Sequence, residues 1–270
     1  MNETQAPVVE QPNYSSNQPT SRQWILIAGI GFFALCGIIT FLAGGYYSLN
    51  SMLSARSGQA TATAATATAV VVAREQAIRS AIKWPLLFLE PFNNNENEWI
   101  DGEIDDEYAK INVTINGTYR WDISSKQGFV WWVYPTSDMV EDFYLAVDVI
   151  NPSENRDAPY GLTFRVSEDE NFYYYFEIRE TQLFSVWAND EGNWTDIVPY
   201  TDTTAIHPSA NNHLEIIAQG DEYFFFINNE LVAEKTILAP DQGYSGLAVG
   251  LSYEDEQSTI IFDNFELRSP

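Results

Sequence analysis

The first residues to weigh for chemistry are Glu103-Ile104-Asp105-Asp106-Glu107. Written on a strand, Glu103, Asp105 and Glu107 project from one face at about 6.6 Å per pair of residues. Two carboxylates roughly 5–5.5 Å apart are what a retaining glycosidase uses. The setting argues against that use: the run stands close to the start of its domain, and Asp101, Gly102 and Asp106 make it read as a solvated acidic loop. No catalytic residue is assigned. Other nucleophile patterns are missing: Gly243-Tyr244-Ser245-Gly246 is one residue short of a nucleophile elbow and precedes a strand, and no P-loop, dinucleotide fingerprint or paired-histidine zinc motif occurs. Cys36 is the single cysteine and the two histidines are His207 and His213, which excludes thiol catalysis and a His/Cys zinc site in the C-terminal region.

The aromatic residues carry more. Trp131, Trp132 and Tyr134 share one short run, Trp187 and Trp194 flank an Asn-Asp-Glu-Gly-Asn turn, and Tyr173 and Tyr175 fall on the face opposite Phe172, Tyr174 and Phe176, beside Glu177 and Arg179. Aromatic faces stack on sugar C–H surfaces, while carboxylates and guanidinium groups hydrogen-bond hydroxyls. Alternation puts Trp132 with Tyr134 on one side and Trp131 with Val133 on the other, so Trp132 and Tyr134 are the open pair and Trp131 belongs to the core. The candidate ligand-binding set is Trp132, Tyr134, Arg165, Tyr173, Tyr175 and Glu177. Ordinary sandwich packing is the competing account of the same aromatics.

The elements that must position these residues are strands. From Phe92 onward, period-2 alternation is broken every 8–12 residues or so by Asn, Asp and Gly turns, and there is no amphipathic window of helix length. In Asp142–Ile150, Phe143, Leu145, Val147 and Val149 share one face. Eleven or more such segments predict an all-β domain, a two-sheet antiparallel jelly-roll sandwich.

The wording of Gly161–Arg179 (GLTFRVSEDENFYYYFEIR), Ala205–Val232, Ser245–Tyr253 and the closing Ile260–Arg268 (IIFDNFELR) resembles the concanavalin A-like lectin/glucanase superfamily, and more narrowly the laminin-G-like and 3-keto-disaccharide-hydrolase-like domains of bacterial surface proteins. The likeness covers Phe92 to Arg268 and consists mostly of fold markers. It implies the sandwich. Glu103, Asp105 and Glu107 are similar to the nucleophile, helper and acid of family-16 glucanases, yet sit too early in the domain, and no acid/base set maps for the hydrolase-like relatives. Related sandwiches hold a structural calcium between first and last strands. By that resemblance Asp263, which alternation groups with Phe265 and Leu267, is a candidate oxygen ligand together with groups near Phe92–Asn95; no other cofactor is implied.

Upstream, Trp24–Leu49 is apolar and free of ionisable side chains, flanked by Trp24 and by Tyr46 and Tyr47. Roughly 20 such residues span a bilayer core of about 30 Å, and interfacial aromatics belong at its edges. The late start and the length favour a retained single-pass signal-anchor over a cleaved leader. The expected organisation is a disordered tail over 1–23, a transmembrane helix over 24–49, an Ala/Thr-rich stalk over 50–89 with a helix across 74–89, and the sandwich over 90–270, placed outside the cell membrane. Of 13 Lys/Arg and 38 Asp/Glu, five and three fall in residues 1–83, which leaves 84–270 at a net −27. That charge excludes nucleic acid as a partner. The sequence therefore supports a membrane-anchored surface protein whose head recognises carbohydrate or a surface partner without catalysis; a glycoside-processing enzyme and a structural envelope module stay open.

Overall fold

The computed structural model describes residues 76, 78–135, 138–238 and 240–270. The expected tail and membrane span, and the stalk up to residue 75, lie outside the described residues. Among the described residues no helix is long and apolar enough to cross a membrane.

The chain of the described domain runs through a 3-10 turn at Ser80–Lys83 and fifteen strands. These are β1 (Leu86–Glu90), β2 (Gly102–Asp105), β3 (Ala109–Ile115), β4 (Tyr119–Ser125), β5 (Phe129–Val133), β6 (Phe143–Ile150), β7 (Tyr160–Val166) and β8 (Phe172–Ile178). There follow β9 (Leu183–Asp190), β10 (Asn193–Asp202), β11 (Asn212–Gln219), β12 (Glu222–Ile227), β13 (Glu230–Thr236), β14 (Tyr244–Leu251) and β15 (Gln257–Arg268). All pairings are antiparallel. The nine-stranded sheet has the order β13-β12-β11-β6-β15-β4-β3-β2, with β1 also on β15, and the six-stranded sheet has the order β10-β9-β8-β7-β14-β5.

Alternation decides which side chains meet between the sheets. Phe143, Leu145, Val147 and Val149 are fully buried in the core, as the sequence pattern requires, opposite Leu162, Phe164, Phe176 and Val186 from the six-stranded sheet. An aromatic cluster closes one end: Phe92 stacks on Tyr119 at 4.9 Å and meets Trp99 at 5.3 Å, and Trp121 lies 4.8 Å from Phe262. Burying side chains of this size contributes about 1.5–3 kcal/mol each.

Residues 78–89 pack on the sandwich and do not form the continuous helix expected across 74–89. The turn stops at Lys83 because Trp84 precedes Pro85, and the proline ring forces the residue before it into extended backbone (φ −60, ψ 158). Leu86–Glu90 then pairs with the end of β15. Ahead of it, Ile78 and Ala81, with Ile82 and Trp84, cover Tyr144, Ala146, Ile217, Phe224 and Phe226 on the outer face of the nine-stranded sheet. Arg79 clamps this contact: its guanidinium lies 4.5 Å over the Phe226 ring, donates to the Asn229 carbonyl at 2.7 Å and stands 3.6 Å from Glu215.

A second departure is in β15. Simple alternation puts Asp263 on the side of Phe265 and Leu267, but the register slips between Asp263 and Glu266, where Asn264 takes φ +52. This bulge lets Phe262, Phe265 and Leu267 all point into the core and turns Asp263 outward.

Candidate functional site

The outer face of the six-stranded sheet carries the aromatic residues. On β5, Trp131 packs against the core with its ring 4.6 Å from Trp121, while Trp132, and Tyr134 just past the strand end, join a separate outer cluster with buried Val166, Tyr173, Tyr175 and Ala248. Register arranges that face in rows. One row crosses the strands as Trp132, Ala248, Gly161, Glu177 and Ser185; the next as Gly246, Thr163, Tyr175, Trp187 and Asp196; a third holds Tyr173, Asn189 and Trp194.

The middle of the sheet is floored by small residues because the strands come close there. A Cβ on Gly161 would lie 2.2 Å from the Phe176 carbonyl oxygen, and one on Gly246 2.1 Å from that of Val133. Long aromatic side chains reach over this floor from both sides. The Trp132 ring is 4.4 Å from Tyr173, which meets Trp194 edge-on at 5.8 Å, and Trp194 lies 6.3 Å from Trp187. Tyr134 stacks on Tyr244 at 4.8 Å and donates its hydroxyl to Glu170 at 2.6 Å.

One end of the face is polar. Glu177, only 3% exposed, accepts from the Ser185 hydroxyl at 2.9 Å and pairs with Arg179 at 3.4 Å. Ser185 in turn accepts from the Trp187 indole N–H at 2.7 Å. The Arg179 guanidinium lies 4.4 Å over the Tyr200 ring and donates to the Tyr200 hydroxyl. Burial drives the hydroxyl of Tyr175 well above the ordinary phenol range, with the Glu177 charge acting in the same direction. Burial alone raises that of Tyr173.

Several polar atoms here have no partner. Thr163 Oγ1, the hydroxyls of Tyr173 and Tyr175, Asn189 Nδ2, Trp194 Nε1 and Arg179 Nε are buried and unbonded. A buried polar group without a hydrogen bond costs about 1–3 kcal/mol, so such atoms are uncommon singly and more so together. They lie beneath the partly exposed rings of Trp132, Tyr134, Trp187 and Trp194, so the accessible part of this face is aromatic, the kind of surface on which sugar rings stack.

Five of the six predicted ligand-binding residues, Trp132, Tyr134, Tyr173, Tyr175 and Glu177, share this face. Arg165 does not. Its backbone turns at φ +55, which breaks the alternation of β7 and sends the side chain inward. There Arg165 donates to the Tyr223 hydroxyl at 2.8 Å and to the carbonyls of Val140 and Asp241 at 2.8 and 2.7 Å, under the ring of Phe143 at 5.3 Å. It is a buried tie between the sheets. Thr163, Ser185, Asn189 and Tyr200 were missed by sequence reasoning; the alternation of β7 and β9 places the first three on the face once the strand pairing is known.

The remaining candidates lie on the other sheet. Glu103 is 2.9 Å from Lys110 and Asp105 is 2.5 Å from Lys126, both pairs about half exposed on and beside the edge strand β2. The strand ends at Asp105, and Asp106 turns back to accept the N–H groups of Tyr108 and Ala109. Asp263 accepts the N–H of Asn264 at 2.8 Å, and desolvation, together with the Asp148 charge, pushes its carboxyl above the usual range. Asp148 is itself engaged by His213 Nδ1 at 2.7 Å and by Asn264 at 2.9 Å. Among the described residues no group of three or more His, Cys, Asp or Glu side chains could hold a metal ion. A groove of about 630 Å³ beside β3, β4 and β15 is lined by Lys110, Asn112, Asp122, Ser124, Gln257 and Thr259, and has no aromatic side chain to stack on a ligand.

The sequence matches no family model and no curated protein. Among solved structures, the domain is similar to a GlcNAcα1-4Gal-releasing endo-β-galactosidase from Clostridium perfringens (11% identity over 69% of this chain and 63% of that one, TM-score 0.51). It is also similar to a carbohydrate-binding module from Bacillus subtilis (18% identity, 68% of this chain and 97% of that one, TM-score 0.44) and to a β-glucanase from Bacillus licheniformis (13%, 69% and 99%, TM-score 0.47). What is shared at these identities is the fold: the domain is a concanavalin A-like jelly-roll sandwich.

Proposed function

We propose that the outer face of the six-stranded sheet is a non-catalytic glycan platform. The observation that carries this reading is the run of partly exposed aromatic rings, Trp132, Tyr134, Trp187 and Trp194, gathered on that one face. Catalysis is disfavoured by the spacing of acids. Glu177 is held by Ser185 and Arg179, and the nearest carboxylate in the rows, Asp196, stands two strands and two residues away. Strand geometry makes that about 12 Å between backbone positions, with Asp196 exposed and Glu177 buried, so the two do not share one environment. A protein of similar fold is, by its name, an endo-β-galactosidase, which supports carbohydrate as the ligand and leaves binding and cleavage alike open.

The same proposal includes the setting: residues 24–49 hold the protein at a membrane as a single-pass anchor with the sandwich outside, for which the uncharged apolar length is the support. Intact mass of the membrane-extracted protein tests retention, and loss of the first 60 residues or more would overturn it. For the platform, the full chain is passed through affinity gels containing a panel of polysaccharides. Retardation by at least one glycan is expected, abolished in Trp132→Ala and kept in Trp131→Ala, whose ring faces the core. A protein retarded by none of them, or a Trp132→Ala variant that still binds, would end the reading.

A further inference from the structure

We infer that the platform selects uncharged glycans and rejects acidic ones, with Glu177 as the residue that sets this choice; the inference rests on the glycan-platform reading. The first support is the charge inventory of the face. The six strands that form it carry one base, Arg165, which points into the core, and Arg179 follows at the end of β8. Arg179 is committed three ways: to the Glu177 carboxylate, to the Tyr200 hydroxyl and to the face of the Tyr200 ring. No uncommitted cation on these strands could meet a uronate or sulfate.

The rim adds to this. The β7–β8 and β9–β10 hairpins present Glu168, Asp169, Asp190 and Glu191 to solvent, and β10 adds exposed Asp196. An acidic chain lying across the aromatic rings would approach these carboxylates within a Debye length, about 8–10 Å at ordinary salt. To gain the Arg179 guanidinium it would have to displace Glu177, leaving that carboxylate buried and without its cation.

Glu177 thus acts as a selectivity residue by keeping Arg179 neutralised; Glu177→Gln keeps the shape and leaves the guanidinium uncompensated.

The test measures dissociation constants for the full chain with three glycan classes: neutral (a β-glucan and a galactomannan), acidic (polygalacturonate and chondroitin sulfate) and cationic (chitosan oligosaccharide). A neutral glycan should bind, with less than about a twofold change in Kd between about 50 and 500 mM NaCl, because stacking is not screened. Acidic glycans should not bind the parent protein, and Glu177→Gln should bind one of them at least about tenfold more tightly, with a salt-sensitive Kd. If Glu177→Gln fails to fold, the class profile and salt dependence of the parent protein decide alone. Binding of acidic or cationic glycans in preference to neutral ones overturns the inference and leaves the platform standing. So does a folded Glu177→Gln variant with unchanged selectivity. Absence of binding to every class removes the platform itself.

Discussion

Replacing Tyr175 with phenylalanine deletes one oxygen from a side chain that is 1% exposed and whose hydroxyl has no hydrogen-bond partner. Nothing else about the site need change, since the ring keeps its place in the cluster with Val166, Tyr173 and Ala248. Folding strips the hydroxyl of water and returns no bond, a loss of about 1–3 kcal/mol that the variant does not incur. Tyr175→Phe is therefore expected to be more stable than the parent, although most substitutions destabilise by about 1 kcal/mol. For a domain of roughly 150–250 residues each kcal/mol moves the midpoint by about 2–4 °C, so a rise of roughly 2–12 °C follows. The assay is a far-UV circular dichroism melt of parent and variant, alone and with a saturating glycan. Ligand should raise the two midpoints alike, because the hydroxyl is buried beneath the rings that a ligand would touch. A variant that melts lower than the parent without ligand would show that the hydroxyl is bonded in solution.

Gly161→Ala should cost about 1–3 kcal/mol or more, because its Cβ meets the Phe176 carbonyl of the paired strand at 2.2 Å; an unchanged melt would refute so close an approach. His213 should make stability depend on pH: its hydrogen bond to Asp148 raises its pKa and lowers that of Asp148. The histidine contribution is complete below the usual imidazole value of about 6.5 and fades as pH rises through the raised folded value, while the aspartate contribution is lost only as pH falls below about 4. The parent should thus exceed His213→Asn in melting temperature most between about pH 4 and 6.5 and lose that lead in alkali; a constant difference across pH would refute the pairing. Arg79→Ala leaves Glu215, 2% exposed, without its cation, a loss of about 3 kcal/mol, and should speed amide exchange over 78–83. Unchanged exchange there would mean the clamp contributes nothing.

Alternation alone made the sandwich legible, and with it the split of Trp131 to the core and Trp132 to the outer face. It failed where the backbone leaves the regular strand without a glycine to announce it. Arg165 at φ +55 and Asn264 at φ +52 each shift the pattern by one residue, so Arg165 moved from the ligand face to the interior and Asp263 from the interior to the surface. The strand at Leu86–Glu90 was hidden for a different reason: Leu-Leu-Phe-Leu-Glu suits a helix as well as a strand, and the deciding signal was Pro85. The polar end of the face was half visible, as Glu177 and Arg179 lie on one side of β8. Ser185 and Tyr200 could not be attached to them, because the pairing of β8, β9 and β10 that brings them together is a property of the folded sheet.

The docking of residues 78–90 on the nine-stranded sheet has a mechanical consequence. Force applied to the chain ahead of Ile78 enters the domain through this segment, and a ligand on the six-stranded sheet would be held on the opposite side of the core. The first contacts to carry the load are the patch under Ile78 and Ala81 and the Arg79 clamp. Next come the hydrogen bonds of β1, and behind them Phe88 against Phe265 and Trp99. These outer attachments can yield in sequence, each releasing a few residues, while the paired strands that shape the aromatic face stay closed. The segment is arranged as an extensible link between the chain ahead of Ile78 and the sandwich.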